Sequence, residues 1–267
     1  MLYVATHYGT EGPYKDWVFP CDLLWYNQWF EIISLKPRFV EMVTWNDYGE
    51  SHYIGPLSSP HYDDVNSKWA NDIPHNDWLD MAKPFIAAYK AGASSPSAYI
   101  QNDRLIYWYR ITPKSLNCNS TDIPDGWNTM SDNIFVVSLL TSPGTVAVQT
   151  GAMVYTFNAA AGAPAVSVPF QVRAQTFTLS RNRSKVIGAT SLKQIQNTCQ
   201  CGIYNFNAYV GTVPEGTRDV LGSDVLTEFS NGLKVTTGSP TPSLPVTPAT
   251  SAATATSSLG SVAPSIV

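Results

Sequence analysis

The chain has 267 residues, enough for two ordinary domains, so its size does not limit the core it can bury. Charged residues make up 13% and aromatics 12%, with a formal net charge of −4. There is no basic patch and no apolar run near the roughly 20 residues that span a bilayer, which speaks against nucleic acid and membrane as partners.

The opening stretch, MLYVATHYGTEG, has no basic n-region, long apolar segment or cleavage site, so no signal peptide is read there. LYVATHY at 2–8 is β-branched and aromatic and predicts a strand ending in a Gly-containing turn. Asp22 can cap a helix in which Leu23, Leu24, Tyr26, Trp29, Phe30 and Ile33 recur at helical spacing, and Pro37 stops it. RFVEMVTW at 38–45 predicts a second strand, nearly continuous in apolar character as in a sheet buried on both faces. A polar loop precedes WLDMAKPFIAAYK at 78–90, a helix capped by Asn76 or Asp77 and closed by Gly92.

These elements make two βα units of a parallel sheet. A (β/α)₈ barrel uses about 250 residues for eight such units, and an open parallel sheet also needs more strands. Another chain completes this region, or the polypeptide is a truncated product. Truncation is favoured, because Met1 stands directly at a strand start.

Residues 1–92 hold six of the eight Trp and all four His, and carry 6 basic against 12 acidic side chains; residues 93–234 carry 10 basic against 8 acidic. That shift in composition marks a second domain. RLIYWYRI (104–111), NIFVVSLL (133–140), GTVAVQT (144–150), AMVYTFN (152–158), AVSVPFQV (165–172), QTFTLSR (175–181), SKVIGAT (184–190) and CGIYNFNAYV (201–210) are short strands separated by turn residues. Their regular spacing predicts an antiparallel β-sandwich over 98–234 that folds independently. From Thr236 to Val267 there is no charge, and 19 of 32 residues are Ser, Thr or Pro, too poor in large apolar side chains to fold. Residues 235–267 are therefore read as a disordered linker or tail.

Cys118 lies in an insert between the first two sandwich strands, and Cys199 and Cys201 lie just before the last. A bridge from Cys118 to Cys199 or Cys201 would pin the two ends of the sandwich. With no nearby His, zinc is the weaker reading. Cys21 reads as a small buried side chain. The sequons at Asn119 and Asn182 sit at polar turns and, with the tail, favour a secreted protein.

The chemistry concentrates in Thr44-Trp45-Asn46-Asp47-Tyr48-Gly49-Glu50-Ser51-His52-Tyr53, where the predicted strand 38–45 ends. Barrel enzymes place their reactive groups at the C-terminal ends of strands. Glycosidic cleavage needs two carboxyls, one protonated to donate to the leaving oxygen and one ionised, and Asp47 and Glu50 supply the pair. Trp45, Tyr48, His52 and Tyr53 offer flat faces and polar tips to a sugar ring. His7, ending the first strand, is a further candidate sugar ligand. A bland reading competes: Asp and Glu three apart in a Gly-containing loop are most often turn residues. Glu41 points into a barrel mouth or pairs structurally, and Asp63-Asp64 read as a solvated loop. No metal or phosphate motif is present in the sequence.

VTWNDYGESHYIGPL (43–57), DLLWYNQW (22–29), HNDWLDMAKPFIAAYKAG (75–92), RLIYWYR (104–110) and YNFNAYVG (204–211) resemble the fungal α-1,3-glucanases, or mutanases, of glycoside hydrolase family 71. The likeness runs from about residue 2 to about 234. It implies a (β/α)₈ catalytic barrel followed by a β-sandwich, secretion to the medium or cell wall, a monomer, and hydrolysis of α-1,3-glucan with inversion and no cofactor. It places the catalytic pair at Asp47 and Glu50, with Glu50 as acid and Asp47 as base, and Trp45, Asn46, Tyr48, His52 and Tyr53 on substrate. Residues 1–92 then correspond to the last two βα units of the barrel, which predicts weak activity for the chain as written. The alternative is a non-catalytic carbohydrate-binding or structural sandwich carrying a barrel remnant.

Overall fold

A computed structural model of the chain describes residues 6–7, 16–47, 50–55, 70, 73–118, 123–199, 205–215 and 253–254. Among the described residues the regular structure is chiefly strand, mainly in two antiparallel sheets, with few helices. β1 (Thr6–His7) pairs antiparallel with β2 (Asp16–Trp17). Helices α1 (Leu24–Leu35) and α2 (Asp77–Lys90) follow. The strands are then β3 (Arg104–Arg110), β4 (Asn133–Leu139), β5 (Gly144–Thr150), β6 (Met153–Ala159), β7 (Ala165–Pro169), β8 (Gln175–Arg181), β9 (Ser184–Thr190) and β10 (Ala208–Val213). One sheet runs β10-β3-β4-β7; the other runs β6-β5-β8-β9, joined at its β6 edge by β11 (Ala253–Thr254) in parallel. That last pairing gives two residues of the predicted disordered tail a strand partner.

The sheets pack face to face. Leu105, Tyr107, Tyr109, Ile134 and Val136 meet Val146, Val148, Phe157, Phe177 and Leu179. The Tyr107 and Phe177 rings stack at 3.8 Å. Gly211 on β10 makes room for the Tyr107 phenol, since a Cβ there would come within 2.4 Å of its oxygen.

The alternate residues of the four-stranded sheet are buried too. Ile106, Trp108, Phe135, Val137, Leu139 and Val210 pack against Trp25, Trp29, Trp78, Met81 and Phe85 of the two helices. The described residues thus form three layers, helices on sheet on sheet, and β3 and β10 are buried almost end to end because both of their faces are covered. β5 and β8, with only one face covered, alternate instead.

Local chemistry explains where elements start and stop. α1 ends at Lys36, which adopts a left-handed conformation (φ 48°) and donates its amide to the Ile32 carbonyl at 2.9 Å before Pro37 blocks continuation. Asp22 does not cap α1. Its carboxylate accepts from Ser131 Oγ at 2.9 Å and its carbonyl accepts from Trp108 Nε1 at 2.7 Å, so it ties the helix start to the sheet. β10 begins at Ala208, well inside the predicted 201–210. The Asn205 side chain takes the Asn207 amide at 2.9 Å and the Asn207 side chain takes the Ala208 amide at 3.0 Å, which removes those donors from a ladder.

Two further expectations change. Residues 38–45 form no strand, and Phe39, Met42, Val43 and Trp45 are exposed. Within residues 1–92 the described strand pairing is antiparallel rather than parallel. A parallel strand needs a neighbouring strand to hold its ladder, and no strand flanks 38–45 among the described residues; its end, Thr44 and Trp45, is bonded instead to the returning arm of its own loop at 52–55.

Cys118 is bonded to Cys199, with Cα atoms 5.7 Å apart, and packs with Val18, Met130 and Phe206; Cys201 lies outside the described residues. Burial pushes the Cys21 thiol up to about 12. Asn182 is exposed at the β8–β9 turn in a left-handed conformation (φ 50°), whereas Asn119 lies outside the described residues.

Candidate active site

The motif folds as a narrow loop closed by its own backbone. Thr44 donates its amide to the His52 carbonyl at 3.0 Å, Ile54 donates to the Thr44 carbonyl at 3.1 Å, and Gly55 donates to the Trp45 carbonyl at 2.8 Å. At the tip, the Asp47 amide donates to Thr44 Oγ1 at 2.8 Å and the Glu50 amide donates to Asp47 Oδ1 at 3.0 Å. Asp47 thus builds the turn with one carboxylate oxygen, as a turn residue would, and still presents the rest of the group at the tip. Ser51 turns the chain through a left-handed conformation (φ 56°). Tyr48 and Gly49 lie outside the described residues.

Donor atoms of Asp47, Glu50 and His52 lie within 4.8 Å of one another, with Glu50 Oε2 3.7 Å from His52 Nδ1. His52 is buried and Glu50 half-buried, so the imidazole lies against the core side of the acid. This trio is the one among the described residues that could gather round a cation, but exposed acids cluster this way without one. Trp45 is 54% exposed. Part of its ring lies on Gly55, where a Cβ would sit 2.7 Å from Cε2, so any other residue would displace the indole. Asn46 is exposed beside it. An open indole, an open amide and two acids therefore share one short loop.

Behind the loop the picture differs from the sequence expectation. Tyr53 has no solvent exposure, and its hydroxyl donates to the Ile73 carbonyl and accepts from Asn207 Nδ2 at 3.0 Å. It anchors the loop from within and offers no face to a sugar in this conformation. His75 stacks on the Tyr53 ring at 4.0 Å, with its Nδ1 2.9 Å from the Tyr53 carbonyl and its Nε2 2.9 Å from the Ala208 carbonyl. Burial pulls its pKa down to about 4.

Residue pattern alone gives no sign of Asn207, and from it His75 reads only as shaping the approach to the helix at 78–90. The one available signal was the presence of both in segments that resemble the family, HNDW and YNFNAYVG. His7 pairs with Asp16 in β1, and its side chain lies outside what the structure describes. Glu41 is exposed at the edge of a groove of about 230 Å³ between α1 and residues 37–43. Asp63-Asp64 lie outside the described residues.

Comparison with known proteins gives the site its context. The chain is 41% identical over 215 residues to a mutanase of Penicillium rubens, covering 79% of this chain and 46% of that protein. It is 36% identical over 218 residues to a glucan endo-1,3-α-glucosidase of Schizosaccharomyces pombe, covering 79% of this chain and 50% of that one. An ascus wall endo-1,3-α-glucanase of the same yeast is 31% identical over 180 residues, covering 64% of this chain and 42% of the relative. The chain thus spans about half the length of the curated relatives it matches. No solved structure matches it. The family model for glycosyl hydrolase family 71 matches residues 1–222, with the whole acid-bearing loop inside the match, and on that extent the chain belongs to glycosyl hydrolase family 71.

Proposed function

We propose that this chain carries the acid/base loop of an α-1,3-glucan hydrolase acting outside the cell or in the wall. The observation that carries the reading is the loop itself. Asp47 and Glu50 stand together beside an exposed Trp45, in a chain whose relatives are named for cleaving 1,3-α-glucan. Glu50 donates the proton to the leaving oxygen, Asp47 activates the water, and Trp45 carries a glucose ring on its open surface. Residues 1–92 form the end of a (β/α)₈ barrel, residues 98–234 a sandwich, and 235–267 a linker.

Inversion requires about 6.5–9.5 Å between the carboxyls to admit water, and the closest donor atoms here stand within 4.8 Å. Glu50 must swing away from His52 as substrate enters, which is open to it because the side chain is only half-buried. Residues 1–92 have length for only a minor part of a closed barrel, so the 267 residues alone release little sugar.

The test is made in the longest natural polypeptide carrying this sequence. Glu50→Gln abolishes release of reducing sugar from insoluble α-1,3-glucan while sparing an α-glucosyl fluoride, whose leaving group needs no proton. Asp47→Asn abolishes both, and proton NMR of fresh product shows the β-anomer. Near-wild-type glucan hydrolysis by either folded variant overturns the assignment.

A further inference from the structure

We infer that Tyr53, His75 and Asn207 are positioning residues for the acid/base loop, so that the edge strand of the sandwich sets where Glu50 and His52 stand. The inference rests on the function proposed above for that loop. It starts from connectivity: Tyr53 directly follows His52 and lies three residues after Glu50, so a displacement of its backbone moves both. Three links hold that backbone and ring.

The His75 imidazole spans from the Tyr53 carbonyl to the Ala208 carbonyl at 2.9 Å each, and lies flat on the Tyr53 ring. The Tyr53 hydroxyl joins the Ile73 carbonyl on one side and Asn207 Nδ2 on the other. Asn207 is itself fixed, its carbonyl oxygen taking the Ala208 amide at 3.0 Å and its own amide bound to Asn205 Oδ1. The Val210 amide donates to the Pro74 carbonyl at 3.2 Å, which holds the segment carrying His75 against β10.

Tyr53, His75 and Asn207 are all buried, so their links work in a low dielectric, where a hydrogen bond is strongest and a lost partner is costliest. They act on the acids through the chain at 52–54, where the Tyr53 backbone continues directly from His52. The chemistry gives such a clamp a purpose. A proton donor works only within hydrogen-bond reach of the leaving oxygen, and about 1 Å of misplacement costs on the order of 100-fold in rate. It also gives the sandwich a place in catalysis without any contact with substrate.

Tyr53→Phe removes the hydroxyl's bonds to Ile73 and Asn207 while keeping ring and stack, and Asn207→Ala removes the bond to Tyr53 from the sandwich side together with the bond to the Ala208 amide. Hydrogen exchange in the 267-residue chain reads the loop directly. In either variant the Ile54 and Gly55 amides exchange about tenfold faster or more, while amides of β5 and β8 keep their wild-type rates. The double variant costs less than the sum of the two singles, because the Tyr53–Asn207 bond is counted in both singles and lost once, while the bonds to the Ile73 carbonyl and the Ala208 amide are each lost separately.

In the longest natural polypeptide carrying the sequence, both variants lose on the order of 10–100-fold in kcat on α-1,3-glucan with KM within about twofold. Unchanged exchange at 54–55 overturns the inference. So does faster exchange spread equally through β5 and β8, which marks plain destabilisation, and so does additivity in the double variant. If the unmodified polypeptide fails to cleave glucan, the proposed function fails, and the exchange data still decide the clamp.

Discussion

In the sandwich, β5 and β8 bury Val146, Val148, Phe177 and Leu179 and leave Thr145, Ala147, Thr176 and Thr178 half-buried, so each strand has an inside and an outside. The segment from α1 to the acid/base loop behaves differently. It buries Trp25, Trp29 and Ile33 by leaning on α2 and the outer face of the four-stranded sheet, and leaves Leu35, Phe39, Met42, Val43 and Trp45 open. The first region closes its own core, whereas the second borrows a wall. The apparent domain boundary near residues 93–97 therefore separates compositions without separating cores. Trp108 and Phe135 belong to the sandwich by chain and to the helices by packing.

The strongest way to break that comparison is to separate the regions. A chain starting at residue 98 strips the helices from Ile106, Trp108, Phe135, Val137, Leu139 and Val210. It should bind a hydrophobic dye and lose cooperative thermal unfolding; a cooperative melt matching that of the full chain shows two independent cores instead.

The second test probes the seam. His75 spans two carbonyls, of which a neutral ring can satisfy only one by donation, yet burial still wins and holds its pKa near 4. The unfolded ring takes its proton near 6.5 and the folded ring not until about 4, so acid favours unfolding across that window. Stability should be fullest above pH 6.5 and fall by about 3 kcal/mol on acidification to pH 4. Urea titrations at several pH values measure the slope, and His75→Gln should remove it.

The smallest effect lies wholly within the sandwich. Arg181 holds the Asp103 carboxyl down to about 2, through Nη1 at 2.5 Å and Nη2 at 2.9 Å, with the Thr141 amide and hydroxyl adding to the cage. The contribution is present above 3.8, the unfolded value, and is lost as pH falls through 2. It amounts to about 2 kcal/mol, and the Arg181→Gln variant should lack this acid-sensitive part. The two windows do not overlap, so one pH series separates seam from sandwich.

Much of the sandwich was legible because alternation at period two and turn residues between runs survive in the sequence, and six strand spans match their runs to within one residue at either end. β10 was misplaced because Asn205 and Asn207 look neutral in a strand pattern, although their side chains compete for its backbone amides. The run 38–45 carries the same apolar signature as β3, and only β3 has partners on both faces. A run states that it can be buried, and the neighbours decide whether it is. At the site, the two acids and the open Trp45 were readable from one motif. Tyr53 was not, because an aromatic letter carries no direction. Asn207 was not, because its role depends on a residue 154 positions away.

The Cys118–Cys199 bond, 81 residues across, fastens the insert after β3 to the stretch before β10. β3 and β10 are hydrogen-bonded neighbours despite lying at opposite ends of the sandwich sequence. Through the sulfurs, the walk from one strand to the other bypasses everything from β4 to β9. An oxidised chain thus searches a much smaller volume for that last pairing than a reduced one, because closure entropy follows tether length. Since His75 meets β10 at Ala208, the thiol chemistry of the compartment governs how readily the acid/base loop finds its wall.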